Sequence, residues 1–216
     1  MEKKAVILAI GSFNPPTNGH LQIATLEKKG MKVVESILSP VADGYGKKTL
    51  ISADHRFAMC VAAAEDLDWL RADDWECQKP EWTAALDVLK HHSNDVKNRV
   101  GGKVRTFLLV GGDVVDRFPT RNADGTFIWN QEDVIDIIKI GLIIQPRPGF
   151  TPMKTLESMP EIAEFSNDII VIENGITLND ISSTRLRAAI AEGRSVKYST
   201  PDAVINYIKK HSLYKQ

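Results

Sequence analysis

Cysteine is nearly missing from this chain. Cys60 and Cys77 are the only two in 216 residues, far apart and outside any cysteine or histidine cluster with zinc spacing. The sequence therefore indicates neither a disulfide framework nor a metal site, and a reducing compartment suits it best. Charge of one sign is also lacking: 27 basic against 28 acidic side chains leave a net charge of −1. No long-range field marks a nucleic-acid or membrane partner, so an anionic ligand must be held by local groups. No apolar run reaches membrane-spanning length, and the start, MEKKAVILAIG, has a hydrophobic segment too short for a signal peptide. The expectation is a soluble, intracellular protein placed in the cytoplasm, with a nuclear location left open. No cluster of five or more Lys/Arg suggests nuclear import.

Two common phosphate fingerprints are absent as well. There is no G-x-G-x-x-G after the first apolar run and no G-x-x-x-x-G-K-[ST] anywhere, which disfavours a dinucleotide dehydrogenase and a P-loop hydrolase. Internal repeats and low-complexity segments are missing too.

What is present is alternation. Residues 5–10 (AVILAI), 33–38 (VVESIL), 106–110 (TFLLV), 141–144 (GLII) and 168–172 (DIIVI) read as buried strands. Between and after them, residues 52–67, 81–92, 132–140, 183–193 and 201–211 carry helical spacing. The first has Ser52 as a cap and Phe57, Cys60, Val61 and Ala64 on its apolar stripe. Residues 94–103 and 119–130 are polar, turn-rich loops. With 43% hydrophobic residues the chain can bury one sizeable core. The expected fold is α/β, a doubly wound, Rossmann-like parallel sheet with helices on both faces, in one domain spanning 1–216.

Ligands of such sheets bind outside the carboxyl ends of the strands. GSFNPPTNGH, residues 11–20, leaves the first strand at that place. Gly11 allows close backbone approach, a helix starting near Gly19 offers N–H groups and a positive dipole end, and His20 could donate to phosphate oxygens. Alone, this could equally be a crossover loop with a surface histidine. NDISSTRLR, residues 179–187, offers the hydroxyls of Ser182, Ser183 and Thr184 before a helix, with Arg185 and Arg187 adding charge. Alone, it reads as an ordinary helix cap.

Together, GSFNPPTNGH and ISSTRLR resemble the paired signatures of the nucleotidylyltransferase superfamily, with Thr17, Asn18, Gly19 and His20 matching its [HT]-x-G-H pattern. SPVADGYGKKTLISADHR (39–56), WECQKPEWTAALDVLKHH (75–92), LLVGGDVVDRF (108–118) and IWNQEDV (128–134) narrow the likeness. They are similar to the eukaryotic-type nicotinamide mononucleotide adenylyltransferases over nearly the whole chain, from Val6 to about Tyr214.

That resemblance implies transfer of AMP from ATP, with Mg²⁺, to nicotinamide mononucleotide and also to nicotinic acid mononucleotide, giving NAD or deamido-NAD and pyrophosphate. Direct attack on the α-phosphate needs positioning and charge stabilisation rather than a covalent nucleophile. The implied catalytic groups are His20, Lys48 (Lys47 if the loop register slips by one) and Arg187. Gly11, Ser12, Phe13, Asn179, Ser182, Ser183 and Thr184 would hold ATP and its phosphates. Trp82, Gly111, Asp113, Ile128 and Trp129 would hold the mononucleotide, the two indoles facing a cationic pyridinium. No metal-ligating residue is assigned, and a homo-oligomer is left open. Two positions depart from the family pattern: Ala85 stands where a threonine is common, and Ala188 where many relatives carry a second arginine. They leave the preference between amide and acid substrates open. The alternatives are a nucleotidylyltransferase with another acceptor, such as phosphopantetheine, and a nucleotide-binding or chaperone protein without turnover.

Overall fold

β-branched and aliphatic side chains on both faces of an extended segment are buried only where helices cover both sides of a sheet, and the apolar runs obey this rule. The computed structural model describes residues 3–21, 31–101, 103–165, 169–172 and 181–215. Strands β1 (Lys3–Gly11), β2 (Met31–Pro40), β3 (Leu70–Ala72), β4 (Val104–Gly111), β5 (Leu142–Gln145) and β6 (Ile169–Val171) form one six-stranded sheet. Their order is β3, β2, β1, β4, β5, β6, with helices on both sides. The pairs β2 with β3, β4 with β5 and β5 with β6 are parallel. All five expected strands are present. The sixth, β3, is three residues long, too short to show a period, and pairs Leu70 with Ser36 of β2. The strand order reverses after β1, where open α/β sheets place their ligands at strand carboxyl ends. No helix among the described residues is long and apolar enough to cross a membrane.

The chain divides into two compact units, with β1 contributing to both. One comprises Met1–Leu8, Leu26–Lys32 and Ala84–Asp180. Its core includes Val88, Leu89, Phe107, Leu108, Ile137, Ile138 and Ile143. Here α3 (Ala85–Val100) corrects the sequence reading, which ended a helix at 92 and placed a loop at 94–103. The helix continues because His92, Ser93 and Val96 extend its buried stripe, and an Arg99–Asp95 pair supports its last turn. It starts four residues later than expected and stops at Gly101, whose φ of 68° suits glycine. The unit also contains α4 (Gly112–Val115), α5 (Gln131–Ile140), α6 (Pro152–Glu157) and α7 (Pro160–Ala163). Asn130 caps α5 by accepting from the N–H groups of Glu132 and Asp133.

The other unit comprises Ala9–Thr25, Val33–Thr83 and Ile181–Gln216. Its helices are α1, described over Asn18–Leu21, α2 (Ala53–Ala64), α8 (Ser183–Ala191) and α9 (Asp202–Lys210). Met59 and Ala63 of α2 pack against Val204 and Ile208 of α9. The stripe of α2 differs from the sequence expectation: Ala53, Arg56, Met59, Cys60 and Ala63 are buried, whereas Val61 is 48% exposed. A charged residue on the inner face disguised the true stripe. Ser52 occupies the cap position of α2 without a capping side-chain hydrogen bond.

Candidate functional site

β1 ends at Gly11, whose carbonyl accepts the Val41 N–H, and the chain then enters GSFNPPTNGH. Prolines 15 and 16 lack N–H groups, so this loop cannot be held by a backbone ladder. Side chains hold it instead, taking one carbonyl after another. Arg56 Nη1 donates to Ser12 O at 3.3 Å, Arg187 Nη1 to Asn14 O at 2.8 Å, Ser183 Oγ to Pro15 O at 2.8 Å and Thr200 Oγ1 to Pro16 O at 2.8 Å. The loop is therefore fixed from several elements before any ligand arrives.

Phe13 is 2% exposed with a φ of 41°, an outlier for a bulky residue of the kind that gathers at functional sites. Its ring meets His20 edge-on at 5.2 Å. Thr17 N–H donates to His20 Nδ1 at 2.9 Å. A nitrogen that accepts an N–H cannot carry its own proton, so the neutral imidazole bears its proton on Nε2. Thr17 Oγ1 lies 3.0 Å from the same Nδ1 and can reinforce that tautomer.

At the start of α8, the Ser182 hydroxyl accepts from Arg185 N–H, the expected cap. The Ser183 hydroxyl is engaged with Pro15. Arg187 Nη2 reaches Thr49 Oγ1 at 3.3 Å and Thr184 Oγ1 at 3.4 Å, placing two threonine hydroxyls around one guanidinium. Thus the two signatures, 168 and 173 positions apart at these contacts, meet in one unit. Lys48 is exposed in the turn between Lys47 and Leu50. Asn179 lies outside the described residues. Ala188 is exposed on α8, and Ala85 is half-buried at the start of α3. Trp82 is 55% exposed. Its backbone passes so close to Gly44 that a Cβ there would lie 3.1 Å from Trp82 N, tighter than ordinary van der Waals contact.

The remaining expected residues belong to the other unit. Gly111 ends β4 and precedes α4; a Cβ on it would lie 2.3 Å from Asp113 Oδ1, so glycine is needed for this carboxylate to fold back. Asp113 Oδ1 sits 3.2 Å from Arg147 Nε, an ion pair. Trp129 is half-buried against Phe118, with ring centroids 5.2 Å apart, and Gln131 Nε2 donates to the carbonyls of both. Ile128 is 39% exposed, and its N–H donates to Thr120 O at 2.9 Å.

Sequence reasoning missed Asn14, Thr49, Arg56, Arg147 and Tyr214 as parts of these arrangements. Arg56 had a usable signal, an arginine at a three-residue step from Met59 and Ala53 on a stripe of otherwise apolar residues. The others show none.

No activated thiol is present among the described residues. Burial pushes the Cys60 thiol well above its ordinary range, and burial with the Asp74 charge pushes Cys77 up to about 11. Glu76 is fully buried, and burial raises its carboxyl from 4.5 to about 7, against the Ser39 hydroxyl bond and the Arg56 charge that favour the anion. An acid with a raised folded pKa stabilises the fold at low pH, and that contribution is lost as pH rises from about 4.5 to about 7. Glu76→Gln removes this slope, worth on the order of 3 kcal/mol. Denaturant melts of both proteins from pH 5 to 8 check it: their stability difference must change in favour of the variant as pH rises. A difference constant with pH contradicts the assignment.

A braced loop at the carboxyl end of a strand, joined within one unit to Arg187 of α8, is the kind of place where open α/β sheets bind their ligands. The chain belongs to the cytidylyltransferase-like family, whose model matches residues 8–189. It is 47% identical to nicotinamide/nicotinic acid mononucleotide adenylyltransferase 2 of Caenorhabditis elegans over 221 residues, which cover 99% of each chain. It is 33% identical to nicotinamide/nicotinic acid mononucleotide adenylyltransferase 1 of Bos taurus, covering 98% of this chain and 89% of that one. The fold is shared with the nicotinic acid mononucleotide adenylyltransferase of Plasmodium falciparum solved with NaAD, with a TM-score of 0.70 at 20% identity over 98% of this chain and 97% of the other.

Proposed function

We infer that the protein transfers AMP from ATP to nicotinamide mononucleotide or nicotinic acid mononucleotide, forming NAD or deamido-NAD and releasing pyrophosphate. The observation that carries this is the junction of the two signatures through Arg187 to Asn14 and Ser183 to Pro15. A 5′-phosphate oxygen of the mononucleotide attacks the α-phosphorus of ATP. The bond from that phosphorus to the bridging oxygen breaks, and its electron pair leaves with pyrophosphate. Negative charge builds on the oxygens around the α-phosphorus and on the leaving group, so fixed donors and cations supply the catalysis.

His20 offers its Nε2–H to those oxygens, and the braced loop holds the ring where Thr17 sets its tautomer. Arg187 and Thr184 hold the departing phosphates, while Gly11, Ser12 and Phe13 present backbone and Ser182 and Ser183 shape the helix end. Lys48 brings a mobile cation to two crowded anions. Asp113, paired with Arg147, is assigned to the mononucleotide by resemblance alone, as are Gly111, Trp82, Ile128 and Trp129. Asn179 is assigned to the adenosine by resemblance alone. Mg²⁺ enters as the ATP complex, bound to phosphate oxygens and water, so the ion comes with the substrate.

Pyrophosphate release from Mg·ATP, measured with each mononucleotide and without either, tests the reaction. Release should require a mononucleotide and stop when EDTA removes the metal. Release with neither mononucleotide would overturn the assignment, and activity persisting in EDTA would overturn the metal requirement.

A further inference from the structure

Asn14 is 1% exposed, and every polar group of its side chain is committed. Its Nδ2 donates to Thr49 O at 2.7 Å, and its Oδ1 accepts from the Tyr214 hydroxyl at 2.8 Å, a partner 200 positions away. Its own carbonyl accepts from Arg187, which also touches Thr49 and Thr184. One buried asparagine, through its side-chain amide and its backbone carbonyl, thus joins four segments: the loop after β1, the turn that carries Lys48, α8 through Arg187 and the C-terminal segment after α9.

The orientation of that amide is determined. Thr49 O can only accept, so it must face the Nδ2 side, which leaves Oδ1 for a donor. Tyr214 is that donor. Its own placement is secured independently, because Leu213 and Tyr214 pack on the cluster of Met59, Ala63, Val204 and Ile208, and Leu213 N–H donates to Ile208 O at 3.0 Å. Burial pushes the phenol far above its ordinary range, so it remains a donor through the neutral range.

We propose that Tyr214 is a positioning residue for AMP transfer, its hydroxyl bracing Asn14 so that the loop, the lysine turn and Arg187 keep one geometry around the ATP phosphates. The proposal rests on the reading of the site as an adenylyltransferase. Without the hydroxyl, Oδ1 of a buried amide has no donor, and the amide can turn away from Thr49 only by breaking its other bond. The loop and the lysine turn then keep only the Nδ2 bond and Arg187 between them, with the brace to the C-terminal segment gone, and displacements of a fraction of an ångström in a phosphate-transfer site reduce turnover strongly.

Tyr214→Phe keeps the ring and removes only the hydroxyl. Leu213→Ala disturbs the same apolar cluster without touching Asn14, so it reports what loosened packing does alone. Both full-length variants and the wild type are compared for thermal midpoint, kcat and KM for ATP, well below the lower midpoint. Tyr214→Phe should lose about 10-fold in kcat/KM for ATP with a midpoint no lower than that of Leu213→Ala, which should keep kcat/KM within about twofold of wild type. If Tyr214→Phe retains wild-type kcat/KM, or falls no further than Leu213→Ala, the hydroxyl is merely structural and the proposal fails. Wild type that makes no dinucleotide overturns the adenylyltransferase reading instead, so the two failures are distinct.

Discussion

Replacing His20 with alanine lowers kcat for AMP transfer by about 10²–10³-fold, the size found when one fixed donor to developing oxyanion charge is removed. On the proposed role of Nε2–H as a donor to the phosphate oxygens, the KM for ATP should change by less than about 10-fold, because such a bond strengthens as charge builds and is weaker in the ground state. The tautomer makes this specific. Thr17 N–H occupies Nδ1, so the ring presents one donor and needs no protonation to do so. Steady-state kinetics of wild type and His20→Ala, with ATP varied at saturating mononucleotide, check the split. A variant with normal kcat and a KM raised by orders of magnitude would make His20 a ground-state binding group rather than a catalytic one. The ring also packs edge-on against Phe13, so a thermal melt of the same variant separates lost chemistry from a collapsed loop.

The sequence made the loop visible but not what holds it. Glycine, two prolines and a histidine directly after a buried strand are a local pattern, and local patterns can be read along the chain. Arg56, Thr200 and Tyr214 reach the same loop from 44, 184 and 200 positions away. Hydrogen bonds of that kind impose no period, and each donor resembles a surface residue until the fold buries it. The same physics explains α2 and α3. A stripe that contains Arg56 does not look apolar, and a helix whose inner face carries His92 and Ser93 looks like a loop. Trp129 was legible as a residue out of place in a polar loop, whereas its partner Phe118 and the clamp from Gln131 were not.

Arg56→Leu destabilises the fold by about 2–5 kcal/mol, the size expected when two acceptors inside the protein lose their shared donor. Arg56 is 0% exposed and donates in three directions, from Nε to Ile51 O at 2.9 Å, from Nη1 to Ser12 O at 3.3 Å and from Nη2 to Asp43 Oδ1 at 2.8 Å. The Asp43 side chain is 59% exposed, so its charge returns to water when the arginine is removed. Most of the penalty therefore comes from the two carbonyls, each left without its donor at about 1–3 kcal/mol. Lysine keeps the charge but lacks the planar fork, and its single ammonium cannot satisfy three acceptors set around a guanidinium. Arg56→Lys should accordingly fall between wild type and Arg56→Leu. Denaturant melts of the three proteins at neutral pH give the order directly, and a leucine variant within about 1 kcal/mol of wild type would show that the carbonyls find other donors. Kinetics sharpen the test, because Ser12 belongs to the loop proposed to hold the phosphates and Ile51 follows the lysine turn. An arginine that braces both should lower kcat/KM for ATP in Arg56→Lys even at temperatures where that variant is fully folded, as no contribution from Arg56 to packing alone would do.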